Sequence, residues 1–273
     1  MIGSTPVVRL ERKFFFEASH RLFVPSLTED ENRALFGRRA GRFGHGHNYE
    51  GSVTAIGPID PRTEFLVNIA DLDREIRAVA KTVDHKYLNL DVEGLRGSNP
   101  TCEQLAQYLF ECFATRLPVE RLELIEDVTT TVEYFGEGCP MLVTRCFTFS
   151  AAHRLQSARL SKEENEAVFG KCNNPYGHGH DYRIEVTVEG SPDPVTGLVA
   201  PLGAVEAVVD REVVEPMDCR HLNEEVEEFR TLNPTSENLA VVIWNRLDGR
   251  LPAKLHRVRL WETRKSCFEY RGE

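Results

Sequence analysis

The sequence of 273 residues lacks several features that would define its class at once. It has no apolar run near the roughly 20 residues that span a bilayer, and its N-terminal segment contains no apolar stretch typical of a secretion signal. Its seven cysteines are an odd number without a CxxC spacing, which argues against a disulfide framework. These absences predict a cytoplasmic protein.

An excess of positive charge is also missing. The chain has 33 Lys and Arg residues against 43 Asp and Glu residues, which gives a net charge of −10. Contacts to nucleic-acid phosphates need a basic face, so the composition argues against broad nucleic-acid binding. The hydrophobic content of 41% is sufficient for globular cores.

Histidines form the clearest pattern that is present. Six of the nine fall into two triplets, each with one His followed 25 residues later by a His-x-His pair: His20 with His45 and His47, and His153 with His178 and His180. Side chains at i and i+2 point the same way on a strand, so each pair can grip one ion. Three neutral imidazoles with an open fourth position are the ligand set of a catalytic zinc site.

The triplets belong to an internal repeat. At an offset of 133 residues, Phe36-Gly37 aligns with Phe169-Gly170, and at 134 Asn99-Pro100-Thr101 aligns with Asn233-Pro234-Thr235. The repeat predicts two domains, residues 1–138 and 139–273.

Each repeat is predicted to run strand, strand, helix, helix, strand, strand. In the first, strands are expected at 6–18, 49–56, 122–128 and 130–135, with helices at 71–83 and 101–117 and a short one near 28–35. In the second, strands are expected at 142–150, 182–189, 255–263 and 266–270, with helices at 205–214 and 235–247. This order predicts an α+β fold, a four-stranded antiparallel sheet with two helices on one face in each copy. The open sheet edges favour a homo-oligomer.

Cys172 lies six residues before the second His-x-His pair, in the segment CNNPYG. A thiol beside a metal cation has a lowered pKa and can act as a base or nucleophile. A buried small apolar residue is the alternative interpretation, but the polar, turn-forming segment is not typical of a core.

The second repeat resembles 6-pyruvoyl tetrahydropterin synthases through LSKEENEAVFGKCNNPYGHGHDY, PDPVTGLV, NPTSENLAVVIW and LWET. The first repeat is similar through ASHRL, FGHGHNY, NIADLD, VDHKYLN and NPTCE. The related 6-carboxytetrahydropterin synthases share the triplet, but the longer spacing from Cys172 to the pair favours the pyruvoyl type. The resemblance implies the tetrahydropterin-synthase T-fold, in which sheets close into a barrel on oligomerisation.

The resemblance also implies roles for individual residues. The triplets would hold Zn²⁺, and Glu262, with Glu126 in the first repeat, would anchor the pterin ring. Cys172 would remove a proton from the side chain of 7,8-dihydroneopterin triphosphate, with triphosphate eliminated. Thr235 and Glu237 would touch the pterin, although a Thr N-cap with a following Glu explains them equally well.

In the family, an Asp-His pair from a neighbouring subunit assists the cysteine. The second repeat keeps Asp218 but has Cys219 at the histidine position, whereas the first keeps Asp84 and His85 but has Arg39 at the place of Cys172. We therefore expect Asp84 and His85 of a first-repeat domain to complete the Cys172 site, with His221 as an alternative.

Two other functions stay open at this point. One is formation of 6-carboxy- or 6-hydroxymethylpterin on the same scaffold. The other is pterin binding without catalysis.

Overall fold

The computed structural model describes residues 6–273, which form two compact units. Unit 1 contains the chain up to Thr144 together with Glu189–Gly203, and unit 2 contains Arg145–Val188 and Ala204–Glu273. A segment of the second repeat therefore packs with unit 1. The repeat boundary between residues 138 and 139 stays a sequence prediction, because the units divide the chain by contacts. No helix in the described residues is long and apolar enough to cross a membrane.

Unit 1 is built on a sheet with the strand order β5-β4-β2-β1. Its strands are β1 (Val7–His20), β2 (His45–Pro58), β3 (Lys86–Tyr87), β4 (Val119–Asp127) and β5 (Thr130–Tyr134), and its helices are α1 (Glu29–Phe36), α2 (Ile69–Ala80), α3 (Leu88–Asp91) and α4 (Cys102–Ala114). Short 3₁₀ turns cover Gly37–Ala40 and Glu93–Leu95. Helix α4 packs on β4 and β5, and α2 packs on β1 and α4.

Unit 2 repeats this plan with the strand order β10-β9-β7-β6. Its strands are β6 (Met141–His153), β7 (His178–Gly190), β8 (Arg220–His221), β9 (Lys254–Thr263) and β10 (Ser266–Tyr270). Its helices are α5 (Lys162–Phe169), α6 (Leu202–Val209), α7 (Glu215–Met217), α8 (Leu222–Glu225) and α9 (Ser236–Leu247), with 3₁₀ turns at Gly170–Asn173 and Glu227–Arg230. Helix α9 packs on β9 and β10.

The α+β prediction is confirmed, with one correction to the sheet. The long strands of unit 1 pair antiparallel, but β3 pairs parallel with β1 and β8 pairs parallel with β6 over two residues each. The cause is a tight turn in which the His85 N–H donates to the Glu17 carbonyl at 2.6 Å, so the following residues run alongside β1. A second correction concerns residues 205–214, because α6 ends at Val209 and continues as a π-helical turn over Asp210–Val214.

The helix starts follow the sequence closely. Thr101 and Thr235 are the N-caps of α4 and α9, where each hydroxyl accepts a backbone N–H three residues on. Thr28 begins α1 with a capping box that Glu31 completes. In unit 1, α4 meets the sheet where Phe113 packs edge-on against Phe14 at 5.3 Å between ring centroids, and Phe16 stacks on Tyr49 at 4.7 Å. This core holds the ends of β1 and β2 in register, and those ends carry the histidines.

Candidate metal centre

The first triplet is brought together by the register of β1 and β2. His20 lies directly opposite His45, and Ala18 lies opposite His47, so three imidazoles share one face at the strand ends. Their ring centroids are 4.6, 5.2 and 4.9 Å apart, and the Nε2 atoms of His20 and His45 are separated by 3.2 Å. The predicted cluster is therefore present in unit 1.

The second triplet has the same geometry at the ends of β6 and β7. The ring centroids of His153, His178 and His180 lie 4.6, 5.2 and 4.9 Å apart. In both triplets one ligand atom from each histidine lies within 4.8 Å of the other two. Both sequence-predicted ligand sets thus converge on a point that one ion can occupy.

Backbone carbonyls orient the most buried imidazole of each triplet. His20 Nδ1 lies 2.7 Å from the Pro100 oxygen, and His153 Nδ1 lies 2.8 Å from the Pro234 oxygen. A carbonyl accepts only, so Nδ1 carries the proton and Nε2 presents its lone pair to the centre. A hydrogen bond from the non-ligating ring nitrogen to a backbone carbonyl is typical of a metal-ligating histidine.

The remaining ring nitrogens test whether a metal fits. Among the residues that the structure describes, the buried His47 Nε2, His153 Nε2, His178 Nδ1 and His180 Nε2 have no hydrogen-bond partner. Buried polar atoms are normally paired, and a cluster of unpaired imidazole nitrogens is what a metal ion would satisfy. The histidines of the two triplets therefore fit a bound metal ion.

Burial keeps these imidazoles neutral. It lowers the pKa of His20, His47, His153 and His178 and lowers that of His45 to about 4. A metal ligand must offer an unprotonated nitrogen, so these shifts remove proton competition at neutral pH.

A carboxylate stands beside each triplet, and it belongs to the residue that the resemblance assigns to the pterin ring. Glu126 Oε1 lies 3.7 Å from His20 Nε2, and Glu262 Oε1 lies 3.6 Å from His180 Nε2 and 3.8 Å from His153 Nε2. The Ser236 hydroxyl donates to Glu262 Oε1 at 2.9 Å, which ties the start of α9 to this carboxylate. Glu126 is buried, whereas the Glu262 side chain is 23% exposed and can be reached by a ligand.

The position of Cys172 differs chemically between the repeats. Cys172 is half-buried in the 3₁₀ turn Gly170–Asn173, and its carbonyl accepts the Leu155 N–H, two residues past His153. In unit 1 Arg39 holds the same place, since its carbonyl accepts the Leu22 N–H. Arg39 Nη2 lies 3.6 Å from Asp127 Oδ2, and its charge further lowers the pKa of His20, His45 and His47.

The Asp-His pair of the first repeat is preformed. Asp84 Oδ1 lies 3.0 Å from His85 Nδ1, and the same oxygen accepts the Glu17 N–H. His85 has a φ of +55° and a side chain that is 76% exposed. This imidazole is oriented by a carboxylate and open to a partner group.

The second repeat reproduces this turn without the imidazole. Asp218 Oδ1 accepts the Ser150 N–H, and Cys219 has a φ of +56° with its Sγ 3.6 Å from Asp218 Oδ2. His221 lies two residues further on, where a Cβ added at Gly177 would meet its Nε2 at 2.8 Å. His221 therefore packs against the turn that leads into His178.

Thr235 and Glu237 lie at the start of α9, where Thr235 is half-buried and Glu237 is exposed. Their first-repeat counterparts, Thr101 and Glu103, are buried, and burial raises the pKa of Glu103 to about 7. Sequence reasoning missed this asymmetry. Sequence reasoning also missed Asp127 as the partner of Arg39. In the second repeat Thr263 stands at the position of Asp127 and Cys172 at that of Arg39, so the two positions differ together between the repeats.

Comparison with known proteins supports the repeat directly. The family model described as 6-pyruvoyl tetrahydropterin synthase matches residues 9–137 and again residues 142–273. A protein of Poecilia reticulata named 6-pyruvoyl tetrahydrobiopterin synthase is 49% identical over 132 residues, which cover 48% of this chain and 90% of that protein. The human protein of the same name is 43% identical over 139 residues, 50% of this chain and 96% of that protein.

Among solved structures, the 6-pyruvoyl tetrahydropterin synthase of Caenorhabditis elegans is 40% identical, with a TM-score of 0.47. The match covers 48% of this chain and 95% of that one. Each relative thus corresponds to about one half of the present chain.

Proposed function

The chain belongs to the 6-pyruvoyl tetrahydropterin synthase family, and we propose that it is a zinc-dependent lyase that eliminates triphosphate from 7,8-dihydroneopterin triphosphate. The observation that carries the proposal is the match of both repeats to this family, together with a His₃ cluster and a neighbouring carboxylate in each. A product retaining the 6-substituted tetrahydropterin ring is expected beside free triphosphate.

In this proposal His153, His178 and His180 hold the metal, and Glu262 accepts hydrogen bonds from the N–H groups of the pterin edge. A carboxylate suits this task because it can accept two adjacent donors at once. Thr235 and Glu237, at the start of the helix tied to Glu262, are the further pterin contacts we propose. Bound zinc supplies polarisation of the side-chain hydroxyls of the substrate.

Cys172 is the proposed base. Its thiolate takes a proton from the side-chain carbon next to the one that bears triphosphate, the electrons of that C–H bond form a carbon-carbon double bond, and triphosphate leaves with the electrons of its C–O bond, so that the resulting enol becomes a ketone. Transfer of the remaining carbinol C–H proton to C6 of the ring, with protonation of N5, converts the second hydroxyl to a ketone and the dihydropterin ring to the tetrahydropterin. The step needs no oxidant, and the proton held by Cys172 must then be passed on. An imidazole oriented by a carboxylate suits that task.

We propose that Asp84 and His85 of a first-repeat domain are that pair. Their hydrogen-bonded geometry and the exposed His85 ring support the proposal. The rival within the second repeat is His221, which packs against Gly177. Asp218 would be the carboxylate of that site, although it hydrogen-bonds to the Ser150 N–H and not to His221. If His85→Ala abolishes turnover and His221→Ala leaves it, the composite site stands; the reverse result assigns the relay to His221.

The test of the main proposal is an anaerobic incubation of the zinc-loaded protein with 7,8-dihydroneopterin triphosphate, followed by mass analysis of the pterin and assay of triphosphate. The wild type should release triphosphate and form the pyruvoyl product, and Cys172→Ala should do neither while retaining metal. A product that keeps only a one-carbon side chain would instead indicate 6-carboxy- or 6-hydroxymethylpterin formation.

A non-catalytic pterin-binding protein is the second candidate. It is favoured by the presence of Cys219 and Arg39 at positions where the family has catalytic groups. It predicts that the substrate binds and is recovered unchanged. Closure of the sheets into a barrel and a cytoplasmic location stay predictions from the sequence.

A further inference from the structure

Residues 33–42 contain four arginines, although the whole chain carries a net charge of −10. One of them, Arg39, acts on the first histidine triplet through its charge. The other three, Arg33, Arg38 and Arg42, line one cavity of about 370 Å³ at the end of α1. These three residues form the arginine cluster.

The chain does not neutralise the charge of the arginine cluster. In the described residues none of its three guanidinium groups forms an ion pair, and all three side chains are exposed. Glu29 is the acidic residue among those that line the cavity, and its Oε1 lies 3.2 Å from Arg21 Nη2. Arg21 is fixed in turn, because its Nε donates to the Ala40 carbonyl at 3.0 Å. The cavity therefore keeps the positive charges of the cluster.

The backbone that carries the cluster is held from the core side. Asn32 is buried, and its side chain forms two hydrogen bonds with the backbone of Val24, at 2.7 and 3.0 Å. Phe36 and Ala40 are also buried. Gly37, with a φ of +58°, turns the chain from α1 into the following 3₁₀ turn. A ligand that binds here has to order only the arginine side chains, which lowers the entropy cost of binding.

The second repeat has the same backbone without this charge. At an offset of 133 residues, the positions of the cluster are occupied by Glu166, Lys171 and Pro175. The charges of these three residues sum to zero, and Glu166 also pairs with Lys162 at 3.9 Å. An eight-residue helix followed by a 3₁₀ turn nevertheless forms in both repeats. The fold of this segment therefore does not require the arginines.

We propose that the arginine cluster is a binding site for an oligophosphate, and that the ligand is triphosphate. Guanidinium groups present planar pairs of N–H donors that match phosphate oxygens, and three of them around one cavity suit a small ligand with several negative charges. A long nucleic acid fits less well, because its other phosphates would meet the acidic surface of this chain. The choice of triphosphate rests on the proposed lyase function, in which triphosphate is the leaving group.

The site adjoins the first histidine triplet. Arg38 shares its 3₁₀ turn with Arg39, which lies 3.6 Å from Asp127. This turn thus carries positive charge in the first repeat, where the second repeat carries Cys172. The first repeat would accordingly hold triphosphate, and the second repeat would eliminate it from the substrate.

The first test is a calorimetric titration of the zinc-loaded protein with inorganic triphosphate. A cluster variant replaces all three arginines of the cluster with glutamine, which removes their charge. A control variant removes three exposed positive charges of unit 1 outside the cavity, by Arg62→Gln, Arg77→Gln and Lys81→Gln. The wild type should bind one triphosphate per chain that the cluster variant binds at least about tenfold more weakly, and the control variant should stay within about twofold of the wild type. Equal affinity in the cluster variant and the wild type, or an equal loss in the control variant, would overturn the proposal.

A second titration distinguishes released triphosphate from the triphosphate group of the substrate. Inorganic triphosphate and 7,8-dihydroneopterin triphosphate are each titrated into Cys172→Ala, which stops the proposed turnover, with and without the cluster substitutions. Weaker binding of both ligands assigns the site to the triphosphate group in either form, and weaker binding of inorganic triphosphate alone assigns it to the released product. Weaker binding of the substrate alone would contradict the proposal. Because binding is measured without turnover, a failure of the lyase reaction and a failure of this proposal are separate results.

Discussion

Glu103→Gln should make unit 1 more stable at alkaline pH. Burial raises the pKa of Glu103 from 4.5 to about 7 in the folded chain, so the folded state keeps a proton that the unfolded state releases. The contribution of this group to the stability of the fold is therefore present at low pH and lost as the pH rises through 7. Each unit of difference between the folded and unfolded pKa corresponds to about 1.4 kcal/mol, so the rise from 4.5 to about 7 lowers the free energy of unfolding by about 3 kcal/mol above pH 7.

The glutamine variant removes the ionisation but can still accept the Val199 N–H through its amide oxygen. It should exceed the wild type by about 3 kcal/mol at pH 8 and by less than about 1 kcal/mol at pH 5. Hydrogen exchange of the α4 amides measures this in unit 1. Both tryptophans, Trp244 and Trp261, lie in unit 2. The urea unfolding curve followed by their fluorescence should therefore be the same for Glu103→Gln and the wild type.

Glu237→Gln is the matched control, because Glu237 occupies the corresponding position on α9 and is exposed. It should produce no pH-dependent gain in stability. Equal protection of α4 in wild type and Glu103→Gln at both pH values would refute the reasoning, since it would mean that Glu103 ionises without cost where it lies.

Three further predictions concern the metal centres and their turns. His180→Ala should remove one zinc ion per chain, measured by elemental analysis after equilibration with zinc, and an unchanged metal content would contradict the ligand assignment. In the His180→Ala background, Arg39→Cys should raise the zinc affinity of the remaining first-repeat site about tenfold in a chelator competition, because the change removes a cation from beside the imidazoles. An equal or lower zinc affinity would argue against this effect of Arg39. Gly177→Ala should lower the stability of unit 2 by at least about 1 to 2 kcal/mol in tryptophan-monitored urea unfolding, because Gly177 has a φ of +74° and the added Cβ would lie 2.9 Å from the His153 oxygen. Gly249→Ala, also in unit 2, has a φ of +72° but meets no atom within 4 Å, so it should show a smaller loss.

Much of the fold followed from local signals in the sequence. The alternating runs predicted the long strands, and Thr101 and Thr235 predicted the starts of α4 and α9, because a hydroxyl that caps a helix acts on its own neighbours. The His triplets also followed, since the i,i+2 spacing and the 25-residue separation are properties of two adjacent strands. The hydrogen bonds of His20 to the Pro100 carbonyl and of His153 to the Pro234 carbonyl could not be predicted, because they join segments some 80 residues apart.

The packing of residues 193–199 on α4 lay beyond sequence reasoning for the same reason. Nothing local distinguishes this loop from residues 60–66, whose internal hydrogen bonds are the same. The π-helical turn after α6 was missed because the apolar spacing of residues 205–214 is compatible with a regular helix. The π-helical turn places one more residue in its turn and still buries Val213 fully.

The two repeats differ at complementary positions, and this bears on the composite site. Each keeps three histidines and a carboxylate, but the first has lost the thiol at Arg39 and the second has lost the imidazole at Cys219. The turn that presents the imidazole has survived its loss, because Cys219 holds the same positive φ and the same backbone contact to β6 as His85 holds to β1. A scaffold kept in both repeats, with the proton-transfer groups divided between them, is what a site assembled from a Cys172 domain and a His85 domain requires. The alternative pairing of Arg39 with Cys219 would contain neither group, so we expect one productive lyase site per chain even when both triplets hold zinc.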